Sequence, residues 1–487
     1  IDISRKLEGL ARNTGVHAAG VVICDQPIDD FVPLCLSNDK NLVTQYDGPT
    51  VETCGLLKMD FLGLRTLTIM ERARQLAEKG HNIKIDLDKI DLNDPKVFEV
   101  FIRGETKGVF QFESGGMRDV LMKMKPNRIE DLIAANALYR PGPMVYIDSY
   151  VARKHGEPWT TPHPLMTEVL RETYGIMVYQ EQVSRLVNRL GGIELKRAFR
   201  LAKAISKKKT AMIEAERQPF IDGCVKNGLK AETANEIFED ILRFGGYAFN
   251  KAHSTGYALV AYKTAWLKTY YPTEYMAALL TFEMVSQEKT VEYIEECKRM
   301  GISVLPPDVN VSDHDFNVVY RKVIGRDGQE TIKPEIRFGL AAIKGVGDKA
   351  VAAILQARKE GGRFTSIFDF CERVEPGAVN RACLEALIKS GAFDSTGAMR
   401  KSLMLVLDDA IAHGAKQAAD RRAGQMGLFG GETAAAQPPP KIPNHEWSEA
   451  EMLAHEKSVL GFYVTKHPLS MHEDVLNKYA NVGTTDL

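Results

Sequence analysis

Asp60 stands alone in an apolar run, "CGLLKMDFLGLRTL" (residues 54–67), with Leu56, Leu57, Met59, Phe61, Leu62 and Leu64 around it. An ionised carboxylate among such neighbours is costly unless it is paired, hydrogen-bonded or bound to a metal. A pair of Mg²⁺ ions needs shared, charged oxygen ligands from adjacent strand ends, and Asp60 has the chemistry to give one of them. No second acid lies within a turn or a strand step, so any co-ligands come from elsewhere. A strand-end Asp that caps a turn fits the same window.

Three basic stretches suit phosphate. In "ALYRPGPM" (137–144) Arg140 opens a stiff Arg-Pro-Gly-Pro corner. Proline limits the entropy lost in fixing that corner, and an Arg held this way suits recognition of an oxyanion. A structural salt bridge would use the same residues. In "LAKAISKKKTAM" (201–212) Lys203 and Lys207 fall four apart and share a helix face. Crowded ammonium groups suit a polyanion, although a solvated basic face has the same pattern. In "FGGYAFNKAHSTGYALV" (244–260) two glycines, Tyr247, Lys251 and His253 lead into a helix start. Its free N–H groups and positive dipole end make a phosphate seat, with Tyr247 near enough to stack on a base. The bland alternative is a capped helix with incidental charges.

Two further motifs point to partners. "AAIKGVGDKAVAAILQA" (341–357) has the G-h-G turn of a helix-hairpin-helix. Gly345 and Gly347 let backbone amides approach a DNA phosphate, independent of sequence, with Lys344 and Lys349 beside them. "GQMGLFGG" (424–431) places exposed apolar residues in a stretch too polar to fold. Gln425, Leu428 and Phe429 would anchor a docking peptide in a pocket on a partner.

The elements that must carry these residues follow from pattern. "AAGVVICD", "NLVTQYD" and "GLLKMDFLG" read as strands, which puts Asp60 near the end of a central one. From Thr66 to about Glu296 the pattern is helical, with Asn93 or Asp94 and Ser254 as caps. "FNVVYRKV" and "EIRFGLAAI" form a hairpin, and short helices run on to about His413. The Ala-, Gly-, Gln- and Pro-rich stretch after it is a linker, and "EWSEAEMLAHEKSVLGFYV" is a helix leading into a strand. At 487 residues the chain forms several domains. A net charge of −1 demands no nucleic acid globally, so the local basic clusters carry that argument. The seven cysteines show no metal spacing and read as reduced, buried thiols of a cytosolic protein. No apolar run nears the roughly 20 residues of a membrane span, and no signal peptide opens the sequence. It begins at Ile1 without an initiator Met, and reads as a piece of something longer.

Together with "RKLEGLARNTGVHAAGVVI", "KMDFLGLRTLTI", "GVFQFES", "YGIMVYQEQV", "YAFNKAHS", "YALVAYKTAWLK", "VLPPDVN" and "GLAAIKGVG", these sites resemble one family along nearly the whole chain. That family is the bacterial replicative DNA polymerases of the C class, the α subunit of DNA polymerase III. The resemblance implies an α+β, mainly α-helical fold. Residues 1–65 would be the end of a polymerase β-like nucleotidyltransferase palm and 66–300 the fingers. Residues 301–412 would be the little finger and duplex-binding region, 413–446 a linker with a sliding-clamp-binding peptide, and 447–487 the lead into an OB domain.

The resemblance makes Asp60 the third of three catalytic aspartates and a ligand of two Mg²⁺ ions. The other two aspartates lie in an upstream Asp-x-Asp strand that is absent here. Arg140, Lys203, Lys207, Tyr247, Lys251 and His253 would meet the incoming dNTP. The implied partners are primer-template DNA, the sliding clamp (β subunit) and other holoenzyme subunits, including a 3′–5′ exonuclease, in the cytoplasm and with no membrane role. The implied reaction is template-directed nucleotidyl transfer, absent from this chain alone. Ala202 stands where an Arg is common, which favours Lys203 as the phosphate ligand. "HAAG" replaces the frequent "HAGG". An error-prone member of the same family, and a non-catalytic DNA-binding or clamp-tethering module, are the competing readings.

Overall fold

The computed structural model describes residues 2–466 apart from 11–14, 207–208, 325–329 and 423–440, with four isolated positions beyond (468, 475, 478 and 479). The chain divides into two compact units, Ile1–Arg65 and Thr66–Leu487.

The first unit holds two small antiparallel ribbons. β1 (Gly20–Ile23) pairs with β4 (Leu57–Asp60), Gly20 opposite Asp60 and Ile23 opposite Leu57. β2 (Leu34–Leu36) pairs with β3 (Leu42–Thr44). Among the described residues, Val32, Val51 and Leu56 form its buried core. Strand alternation puts Val21, Ile23, Leu57 and Met59 on one face of the first ribbon, and all four are exposed. The expected central strand is therefore corrected: among the described residues β4 has a neighbour on one side only.

The second unit is mainly helical, so the whole is α+β with little strand. One helix, Lys251–Tyr270, acts as its spine. At 1.5 Å per residue its 20 residues span about 30 Å. Ala258, Ala261, Tyr262 and Ala265 enter the core built on Val97–Leu138, and Leu267 enters the core shared with the C-terminal helices. Alanines at close spacing let neighbouring backbones approach. Near the end of the spine Lys268 is buried, and its ammonium donates to Glu105 O (2.8 Å), Lys107 O (2.7 Å) and Glu296 Oε1 (2.6 Å). Burial pulls the Lys268 pKa down, while Glu296 is held below the usual carboxylate range because Arg299 and Lys268 outweigh its own burial.

A third core, from Met166 to Ile241, packs the helices Gln180–Arg189, Leu195–Ser206, Thr210–Lys226 and Ala231–Gly245. The expected hairpin forms as β6 (Asn317–Ile324) against β7 (Glu330–Arg337), with β5 (Val304–Leu305) added parallel to β7.

Four local readings change. The spine helix begins at Lys251, capped by Asn250 (Oδ1 accepting from His253 N, 2.8 Å); Ser254 is buried and donates to Ile133 O (2.7 Å). Leu407–Arg422 is one helix that runs past His413 although Gly414 lies within it: Gly414 is buried against the backbone of Cys371 in the Ile367–Arg373 helix, where a Cβ would clash. No strand follows the Glu449–Leu460 helix within the described residues up to 466; Glu456 instead takes the amides of Val464 and Thr465. The chain is also fastened before that helix. Ser402 N and Oγ donate to His445 O (3.1 and 2.8 Å), and Glu446 accepts from the amides of Arg400 and Lys401 (3.0 and 3.1 Å). Cys224, Cys297 and Cys383 are buried, with burial pushing their thiols up to about 12, 12 and 11, but Cys35 and Cys54 are exposed.

Lys268→Ala leaves two carbonyls without their donor and Glu296 with Arg299 alone. Removing one partner of a buried pair costs about 3–5 kcal/mol. The urea midpoint of the 66–487 unit should fall accordingly, whereas Lys298→Ala, in an exposed pair with Glu295, should leave it unchanged.

Candidate functional site

Asp60 closes β4, and the ribbon continues with Phe61 N donating to Ala19 O (2.8 Å). Its side chain is 45% exposed, and Phe61 and Leu62 beside it are exposed as well. The expectation of a carboxylate stranded in apolar surroundings is corrected, since the residues that would bury it face solvent. Lys58 Nζ donates to Oδ1 at 2.5 Å and His17 Nδ1 lies 3.9 Å away, so the Lys58 ammonium, helped by His17, holds the carboxyl below the usual range. One carboxylate flanked by an ammonium and an imidazole does not fit a pair of dications, which need several shared anionic oxygens. Among the described residues no group of three His, Cys, Asp or Glu could hold a metal ion.

In the second unit the Arg-Pro-Gly-Pro corner and the start of the spine helix meet. Arg140 donates through Nε to Ala137 O (3.0 Å) and through Nη2 to Tyr247 O (3.0 Å). Its guanidinium lies 4.0 Å from the ring centroid of Phe249. No carboxylate faces it among the described residues, and burial alone lowers its pKa. A planar cation stacked on a ring, with Nη1 lacking a protein acceptor, is set to take an anion. Gly142 makes this corner possible: at φ +102° it adopts a backbone few L residues tolerate, and a Cβ there would sit 2.5 Å from the Tyr247 ring. Tyr247 itself is half exposed.

Phe249 is pinned by a one-bridge pairing with Tyr179. Phe249 N donates to Val178 O (3.0 Å) and Gln180 N to Phe249 O (2.9 Å). His253 meets the Phe249 ring edge-on at 5.5 Å and lies 4.4 Å from Tyr257. Thus Arg140, Tyr247 and His253 gather around Phe249.

The helix start is not the open seat its sequence suggests. Glu181 accepts Lys251 N through both oxygens (3.1 and 3.0 Å), and Asn250 holds His253 N. Lys251 Nζ is likewise engaged, by Glu172 at 2.6 Å. Phe249, Glu172 and Glu181 are the residues that sequence reasoning missed. Phe249 and Glu181 lie inside quoted motifs, but nothing local reveals a partner 70 residues away.

Lys203 is exposed on the Leu195–Ser206 helix, whose Ile205 shares a core with Ile241 of the helix leading to Gly245. Lys207 lies outside the described residues, as do Gln425, Leu428 and Phe429.

The hairpin turn sits before the Asp348–Gly361 helix. Gly345 has φ +94°, with space for nothing much larger than Cβ above Ala386 of the Arg381–Lys389 helix. Lys344 N donates to Val459 O (2.9 Å) and Val346 N to Ile343 O (3.0 Å). The amides of Gly345 and Gly347 take no partner among the described residues, and Lys344 and Lys349 are exposed beside them. This is a surface that can meet phosphate. Asp348, whose charge opposes that, is met by His314 Nε2 (3.1 Å), while His314 Nδ1 meets Asp315 (2.7 Å).

Three family models match the chain. Residues 1–63 match "Bacterial DNA polymerase III alpha NTPase domain", 66–228 "Bacterial DNA polymerase III alpha subunit finger domain" and 301–403 "Helix-hairpin-helix motif". The chain is 43% identical over 475 residues to the DNA polymerase III subunit alpha of Thermus aquaticus, covering 96% of this chain and 38% of that protein. It is 43% identical over 469 residues to that of Bacillus subtilis (96% and 40%) and 42% identical over 497 residues to that of Escherichia coli K12 (98% and 42%). It spans about two fifths of the length of these relatives. No helix among the described residues is long and apolar enough to cross a membrane.

Asp315, and then Asp348, raise the His314 pKa above its ordinary 6.5. The stabilisation from this cluster is complete below pH 6.5 and fades as pH climbs through the raised value. His314→Gln should therefore lower the melting temperature at pH 5.5 and cost less at pH 9; an equal cost at both would contradict the pairing.

Proposed function

Because the chain belongs to the bacterial DNA polymerase III α-subunit family, we propose that it serves template-directed nucleotidyl transfer from dNTPs to a primer 3′-hydroxyl. Arg140 carries the reading: it is a half-buried guanidinium stacked on Phe249, aimed by two backbone carbonyls and lacking an acidic partner. It binds the triphosphate, with His253 at the rim of the same ring cluster and Tyr247 beside the base. Lys203, on the Leu195–Ser206 helix, and Lys207 add charge. Lys251 positions the corner through Glu172 and is a weaker candidate for direct contact.

Asp60 contributes one carboxylate to a divalent-metal site completed by acids outside these residues. The chain's own donors do not hold two Mg²⁺ ions, so no step of the reaction is assigned to them. The hairpin amides at Gly345 and Gly347, with Lys344 and Lys349, grip the duplex backbone. Gln425, Leu428 and Phe429 bind the sliding clamp. The fastening of Ser402 to His445 and of Arg400 and Lys401 to Glu446 supports this, because it returns the chain to the duplex-binding body after the peptide. The remaining holoenzyme subunits and a cytoplasmic setting belong to the same reading.

Titration calorimetry of the purified chain with a dNTP tests it. Arg140→Gln should weaken binding about tenfold, the scale of one charge-assisted hydrogen bond, and Arg140→Lys should recover little, since an ammonium cannot stack as the fork does. Unchanged affinity in both variants would remove Arg140 from the site. The purified chain should also fail to extend a primer; extension free of contaminating polymerase would show that its own donors suffice.

A further inference from the structure

We propose that the outward face of the Leu195–Ser206 helix binds single-stranded DNA through Lys196, Phe199, Arg200 and Lys203. The proposal rests on the polymerase reading and shares Lys203 with it; Lys196, Phe199 and Arg200 are additional to the residues given to the nucleotide.

At 3.6 residues per turn the helix separates into two sides. Ala198, Leu201, Ala202, Ala204 and Ile205 are buried in the third core. Leu195, Lys196, Phe199, Arg200 and Lys203 fall together on the other side, and all are exposed. Lys196, Arg200 and Lys203 make no ion pair among the described residues. Arg197 differs: it lies off this face and is held by Glu216, Nη2 to Oε2 at 2.8 Å. The helix thus neutralises the cation at its flank and leaves three on its front uncompensated. Three like charges within two turns repel one another, and a polyanion relieves that repulsion.

Phe199 decides which polyanion. It is 48% exposed in the middle of the cations. A large aromatic side chain is better buried, and of the other apolar residues on this helix Ala198, Leu201, Ala202, Ala204 and Ile205 are buried and Leu195, at its start, is exposed. A free triphosphate would use the cations and gain little from Phe199. Unpaired bases stack on such a ring, and a charged groove with an aromatic platform is how unpaired strands are held without regard to sequence. Duplex DNA hides its base faces and would leave the ring unused. The spacing agrees: Lys196 and Lys203 are seven residues apart, about 10 Å along the axis, close to three phosphate-to-phosphate steps of a stacked strand at about 3.4 Å each. Nearest in the reaction is the unpaired template ahead of the primer end.

The test uses the full 487-residue chain, a fluorescent dT oligonucleotide and a blunt duplex, with affinity read by anisotropy across a salt series. Phe199→Leu keeps an apolar side chain and removes the ring; it should weaken oligonucleotide binding about tenfold, and Phe199→Trp should restore it with quenching of indole fluorescence. Lys196→Ala with Arg200→Ala should flatten the salt dependence of oligonucleotide binding by about 1.4 in log–log slope, at about 0.7 per phosphate neutralised. Duplex binding, assigned to the hairpin turn, should change in none of them. All four residues are exposed, so circular dichroism should match the parent in each variant. Wild-type oligonucleotide affinity and salt slope in these variants, with duplex binding intact, would overturn this proposal and leave the polymerase reading standing. Failure of the parent chain to bind either DNA would overturn both.

Discussion

The capping of the spine helix is the constraint on which the rest depends. A helix start leaves backbone amides without partners, and in a DNA-handling protein those amides invite phosphate. Here the Lys251 amide is taken by Glu181 and the His253 amide by Asn250, and the Lys251 ammonium is taken by Glu172. The helix is thereby fixed at its exposed end by groups from a different part of the chain, while Lys268 and Glu296 fix it at the buried end. With both ends anchored, Phe249 is held still just before the first turn, and Arg140 can stack on it. Anion recognition then falls to a side chain that has no other charge to answer.

Two kinds of feature were legible in the sequence to different degrees. Patterns with a local cause were read well: Asp94 caps its helix, the 317–337 hairpin forms, and the G-h-G turn has one glycine at positive φ with open amides. What failed was set by distant partners. Ser254 looks like a cap because it follows charged residues and precedes an apolar run, but its hydroxyl is claimed by Ile133 O across the core. The helix to Arg422 crosses a compositional boundary because Gly414 packs against the Cys371 backbone, a contact that composition does not register. The phosphate seat was misjudged for the same reason, since Glu181 reaches it from 70 residues away.

Asp60 teaches the opposite lesson. In the sequence its apolar neighbours read as walls; in the structure Leu57, Met59, Phe61 and Leu62 are exposed, Leu56 joins the small core, and Lys58 supplies the opposite charge. Val21, Ile23, Leu57 and Met59 side by side are the kind of surface that soluble proteins cover. The second unit, by contrast, closes its cores with its own side chains.

Two of the first three amides of the spine helix, those of Lys251 and His253, are satisfied from within, and the triphosphate is met by side chains. Amide hydrogen exchange at Lys251 and His253, measured with and without a saturating dNTP, tests it most directly. Both amides should already be protected in the free chain and should not change when nucleotide binds. Ready exchange in the free chain, followed by marked protection on binding, would mean that the phosphates sit on the helix amides after all.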